Sequence, residues 1–166
     1  MLREIISDFD RVKNLIAVSQ SLPDDISGEA VSMMNEYLCV VITGRLEQNL
    51  KQIFIAYSDR KSKTAMGTAV SRLCQSFQNP TKDKICDLVS LFDKEFSEKL
   101  IAEWKVDGSV GQIISDMVGR RKIIAHQTKN NRDTTTSKVN NFFTAYKSVI
   151  TEIHDHFLIE QKKRRN

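Results

Sequence analysis

The chain has 166 residues, enough to bury a core without metals or disulfides and few enough for one domain. Hydrophobic residues make up 40% and charged residues 28%, while 6 glycines and 2 prolines are too few for the many tight turns of an all-β protein, so composition favours helices. Lys and Arg number 25 against 21 Asp and Glu, a formal charge of +4 that permits a polyanionic partner without requiring one; part of the excess lies in the tail Lys162, Lys163, Arg164 and Arg165.

The first element is expected over residues 2–20, where Leu2, Ile5, Ile6, Phe9, Val12, Leu15 and Ile16 recur at helical spacing. Ser21-Leu22-Pro23-Asp24-Asp25 breaks it. A long helix follows from about Ser27 to Tyr57, apolar all round between Leu38 and Ile42, which places its middle centrally in a bundle. Residues 59–63 form a charged turn, and Thr64 is a candidate cap for a helix to about Phe77. Asn79-Pro80 stops that helix, and Thr81 opens another that is read as continuous through Ile85, Leu88, Leu91, Phe92, Phe96 and Leu100 to Trp104.

Asp107-Gly108 signals a turn, and Ser109 with Gln112 has capping-box spacing for a helix carrying Val110, Ile113, Ile114, Met117 and Val118. Residues 127–137 are polar and read as a surface loop, after which Val139, Phe142, Phe143, Tyr146, Val149, Ile150, Ile153 and Phe157 mark a last helix from about Ser137 to Ile159. The expected fold is therefore all-α: a bundle of about five to six helices in one domain, residues 1–160, followed by a basic tail over 161–166. The cysteines, Cys39, Cys74 and Cys86, are odd in number, lack CxxC spacing and adjoin apolar residues, as expected of small buried hydrophobes in a reducing compartment. Arg3, Glu4, Asp8 and Asp10 interrupt any signal-like start, and no apolar run approaches the roughly 20 residues that span a bilayer, so a cytoplasmic protein without a membrane partner is expected.

One segment carries chemistry: Gly119-Arg120-Arg121-Lys122-Ile123-Ile124-Ala125-His126. On a helical projection Arg121 falls on the apolar stripe with Val110, Ile114, Met117 and Ile124, where an arginine belongs only if its stem packs and its head meets an anion or an acid. Asp116 lies one turn from Arg120 and is a candidate partner for it. His126 comes five residues after Arg121, about 140° further round, so both reach one substrate only if the arginine bends around or two copies of the helix meet. A guanidinium grips a phosphate and stabilises its developing charge, and a histidine moves protons near neutral pH. RNA brings its own 2′-hydroxyl nucleophile, so the pair suits RNA cleavage without a protein nucleophile, metal or other cofactor.

Arg-x4-His near the end of a helix in an all-α chain resembles the Arg-x4–6-His signature of the HEPN superfamily, and Ile124-Ala125-His126 makes it most similar to the RiboL-PSP type. The resemblance implies a helical bundle that forms a homodimer, with two motifs meeting in a cleft. It implies a metal-independent endoribonuclease of toxin–antitoxin or antiviral systems, with RNA as substrate and an antitoxin protein as a further partner. By the same resemblance Arg121 holds the scissile phosphate, chosen over Arg120 at x5 spacing for its place in the apolar stripe; His126 moves the proton, and Glu47, an acid midway along the long second helix, orients the pair. Arg120, Lys122, Gln127 and Arg132 are the expected RNA-binding residues. Lys122 stands where many such motifs have a small polar residue after the arginine, which keeps open an alternative: a catalytically inactive HEPN module that binds RNA or a protein.

Plainer readings stand beside these. Arg121 pairing with an acid such as Glu47 would join two helices, and His126 would complement the negative end of its helix. His154-Asp155-His156 is no metal site on regular helical geometry, since positions two apart diverge by about 200°, and both histidines are expected at the surface. Trp104, Phe142 and Phe143 are expected to pack in the core rather than stack on bases.

Overall fold

The computed structural model of the chain describes residues 1–23, 26–61, 65–126 and 134–160. They form seven α-helices with no strand among the described residues: α1 (Arg3–Gln20), α2 (Gly28–Lys61), α3 (Ala65–Ser76), α4 (Lys82–Ser90), α5 (Lys94–Glu103), α6 (Val110–His126) and α7 (Thr136–His154), the last continuing as a π-helical turn, Asp155–Glu160. None is long and apolar enough to cross a membrane. Thr64, residues 127–133 of the expected loop and the expected basic tail, 161–166, lie outside the described residues.

The organising element is α2. Its 34 residues reach about 51 Å at the usual rise, and it packs against α1, α3, α6 and α7. Leu38, Cys39, Ile42, Leu46, Leu50, Ile53 and Phe54 form one broad face that is essentially inaccessible, and Val40 and Val41 on the other side are half-buried. Ser27 starts it, its hydroxyl oxygen accepting from the Ala30 N–H at 3.2 Å.

Around this axis α1 buries Ile5, Phe9, Val12 and Ile16, with Phe9 meeting Tyr146 of α7 edge-on at 5.0 Å, and the expected Ile6 faces outward. An ion pair, Arg45 to Asp8 at 2.9 Å, also joins α1 to α2. Tyr146 is fully buried, and its hydroxyl oxygen accepts from Asn49 Nδ2 at 2.6 Å, so a polar group in the core has its partner. At the other end Phe157 of the π-helical turn packs against Phe54, Phe92 and Phe96, and Arg60 donates to the Leu158 carbonyl at 2.9 Å. The cysteines are buried thiols as expected.

Two expectations are corrected. The continuous helix from Thr81 to Trp104 is two helices, α4 and α5. Asp93 takes extended backbone (φ −154°) and its carboxylate accepts from the Phe96 N–H at 3.0 Å, a capping bond that starts a new helix. Leu91, expected in the buried stripe, lies at this corner and is 65% exposed. The second correction concerns His154 and His156, which are not surface residues. His154 is buried, while His156 stacks on Phe96 at 3.7 Å and hydrogen-bonds Asp93 through Nε2 at 2.9 Å. The i→i+5 bonding that begins at Asp155 widens the turn and swings His156 inward toward α5. No group of three or more His, Cys, Asp or Glu among the described residues is arranged to hold an ion.

Candidate active site

The motif helix α6 is positioned at both ends. At its start Ser109 caps it, the hydroxyl oxygen accepting from the Gln112 N–H at 3.3 Å, while the same hydroxyl donates to the Trp104 carbonyl at 3.0 Å. Gly111 then lets the helix approach Trp104 so closely that a Cβ there would stand 2.7 Å from the tryptophan Cβ, Cγ and Cδ2. Further along, Ile114, Met117 and Val118 are buried, and the Cys39 thiol of α2 donates to the Met117 carbonyl at 3.6 Å. α6 therefore lies on α2 and α7 with its second half, the motif, beside the middle of the long helix.

Arg120 and Arg121 leave α6 on different sides. Arg120 lines a small cleft of about 150 Å3 with Asp116, Gly119, Ile123, Lys138 and Phe142, between α6 and α7. Arg121, half-buried, turns toward the segment joining α3 to α4, where its Nη1 donates to Asn79 Oδ1 at 2.5 Å. Glu47 reaches the same residue from α2: its carboxylate accepts the Asn79 backbone N–H at 3.1 Å and pairs with Lys51 at 2.9 Å. Arg121 and Glu47 are thus brought together, but through Asn79, not by a direct ion pair. The connecting segment is pinned again three residues on, where the N–H of Lys82, the first residue of α4, donates to Ser115 Oγ of α6 at 3.1 Å, and Pro80 between them is buried.

His126 is the last residue of α6 and is exposed, as is Lys122. Gln127 and Arg132, expected to bind RNA, lie outside the described residues. Asn79 is the residue that reading the sequence missed: Asn79-Pro80 was legible as a helix stop, and nothing in its spacing said that the stop would sit against Glu47 and Arg121. The one available signal was the choice of Asn at a stop, since Asn tolerates a left-handed backbone, here φ 53°, while carrying an amide. Buried near the site, Cys39 has its thiol pushed up to about 12, chiefly by desolvation, against the opposing pull of the Arg120 and Arg121 charges, so it stays a neutral packing group.

The family model for the RiboL-PSP-HEPN domain matches residues 4–158, from the second residue of α1 into the π-helical turn. The chain belongs to the RiboL-PSP-HEPN family. HEPN domains are generally ribonucleases, so family membership makes RNA the substrate class to test. The match takes in all seven helices of the HEPN domain, and with them Glu47, Asn79, Arg121 and His126. No curated protein and no solved structure matches the chain.

Proposed function

We propose that this HEPN domain is a metal-independent endoribonuclease. The 2′-hydroxyl oxygen of RNA attacks the adjacent phosphorus and the bond to the 5′-oxygen breaks, leaving a 2′,3′-cyclic phosphate and a 5′-hydroxyl end. Arg121 grips the scissile phosphate and stabilises its developing charge. His126 takes the 2′-hydroxyl proton or returns one to the leaving oxygen. Glu47 acts on the arginine through Asn79, and Arg120 and Lys122 add charge along the RNA backbone. The acting form is a homodimer in which two copies of the motif face one cleft, which brings the exposed His126 of one copy toward the arginine of the other. The biological setting that suits such activity is a toxin or antiviral-defence effector in the cytoplasm, held in check by an antitoxin.

The observation that carries this reading is the hydrogen bond of Arg121. Its guanidinium is half-buried and held by a neutral amide oxygen, not a carboxylate, so the cation is ordered and keeps its charge for a phosphate. A structural arginine in such a place is usually neutralised by an acid. Arg121→Ala and His126→Ala are each expected to abolish cleavage of a mixed-sequence RNA while leaving the far-ultraviolet circular dichroism of the wild type. Full activity in either folded variant would overturn the assignment. A second reading, a module that binds RNA or protein without cutting, is favoured by Lys122 directly after the arginine. It predicts a dimer that binds RNA and never cleaves it.

A further inference from the structure

We propose that Asn79 is the positioning residue for Arg121 and that it keeps Glu47 from neutralising it. The proposal rests on the reading that Arg121 grips a phosphate. Three bonds converge on one residue and its acid: Arg121 Nη1 to Asn79 Oδ1 at 2.5 Å, the Asn79 N–H to Glu47 at 3.1 Å, and Lys51 Nζ to Glu47 at 2.9 Å. Glu47 therefore spends one oxygen on Lys51 and the other on a backbone N–H, while among the described residues the arginine bonds an uncharged acceptor, the Asn79 amide oxygen.

The left-handed backbone at Asn79 is what allows this division, because it presents the N–H to α2 and the side chain to α6 from a single residue. A non-glycine residue with φ near 53° is uncommon and asparagine is among those that adopt it most readily. Pro80 after it and the Lys82 N–H on Ser115 hold the segment against α6, so the amide oxygen is fixed in place. An amide oxygen orients a guanidinium without cancelling its charge, whereas a carboxylate at the same point would do both. Asn79 touches no substrate in this scheme; it acts through Arg121.

Two substitutions separate the parts. Asn79→Gly suits the left-handed backbone and keeps the N–H for Glu47, but removes the acceptor for Arg121. Asn79→Asp keeps an acceptor and adds a charge. Each is measured in three ways: binding of a mixed-sequence 2′-O-methyl RNA, which cannot be cleaved by its own sugar; single-turnover cleavage of the matching ribose strand; and the Arg121 guanidinium N–H signals by NMR in the free protein. Asn79→Gly is expected to slow cleavage about tenfold or more, the scale of one hydrogen bond to a charged group, with much less change in binding. Asn79→Asp is expected to weaken RNA binding about tenfold, because the guanidinium is then neutralised. The Arg121 signals are expected to be resolved and slowly exchanging in wild type and lost in Asn79→Gly. Wild-type cleavage and binding in both folded variants would overturn the proposal. If the wild type neither binds nor cuts RNA, the ribonuclease reading fails by itself, and the NMR signals still decide: Arg121 signals unchanged by Asn79→Gly would overturn the positioning role.

Discussion

Gly111 is where the seating of the motif helix is most exposed to a single substitution. A Cβ placed there would stand 2.7 Å from three atoms of Trp104, including its Cβ, where ordinary carbon contacts run about 3.5–4.0 Å. Because one of those atoms is the stem of a side chain only 5% exposed, no rotamer change clears the space, and α6 or the α5–α6 corner must move. Overpacking of this kind costs about 1–3 kcal/mol, and replacing glycine by alanine in a helix returns at most about 0.5–1 kcal/mol. Gly111→Ala is therefore expected to destabilise by about 1–2 kcal/mol, lowering Tm by about 2–8 °C in a domain of this size. Gly119, eight residues on in the same helix, has nothing within 4 Å of the position a Cβ would take. Gly119→Ala accordingly gains the propensity term alone, about 0.5–1 kcal/mol, and should raise Tm. Thermal unfolding followed by circular dichroism and urea midpoints on both variants test the argument. A Gly111→Ala protein as stable as wild type, or a Gly119→Ala protein as unstable as Gly111→Ala, would refute it.

Tyr146→Phe leaves the buried Asn49 amide without its partner and is expected to cost about 1–3 kcal/mol in urea unfolding; a loss below about 0.5 kcal/mol would contradict the pairing. Asp93→Ala removes the cap of α5 and the partner of His156, and should cost about 1–3 kcal/mol, most of which Asp93→Asn restores because asparagine also caps. Burial pushes the Cys39 thiol up to about 12 and the Cys86 thiol up to about 11 from 9.0. Above pH 9 the unfolded chain then sheds these protons while the folded chain keeps them, so stability must fall as pH rises, and a Cys39→Ala, Cys86→Ala variant should show a shallower decline in urea midpoint.

Most helices were legible because their cause is local. The all-round apolar middle of α2 announced a central helix, and Ser109 with Gln112 marked the start of α6 to within a residue. The α4–α5 corner was not legible, because Leu88, Phe92, Phe96 and Leu100 recur every four residues straight through it. The break is made by Asp93, whose capping bond and contact with His156 depend on where α7 ends. His154 and His156 were misjudged for a related reason: projecting a regular helix past residue 154 fails once the backbone turns π-helical, and nothing in Asp155-His156-Phe157 signals that change. The motif itself, Arg121 and His126, was readable as a pattern in one segment. Glu47 was named beside it only through the family resemblance, and Asn79 was not legible at all, since its contacts with Glu47 and Arg121 span 32 and 42 residues and arise only from tertiary packing.

We propose that this HEPN domain cuts RNA through His126 without a metal. The most direct measurement is cleavage of total tRNA and a mixed-sequence single strand by purified protein in excess EDTA, with His126→Ala in parallel and the product ends analysed. Cleavage by wild type alone, with 2′,3′-cyclic phosphate and 5′-hydroxyl ends, is the expected result. Cleavage that EDTA abolishes, 5′-phosphate ends, or undiminished cleavage by folded His126→Ala protein would contradict it.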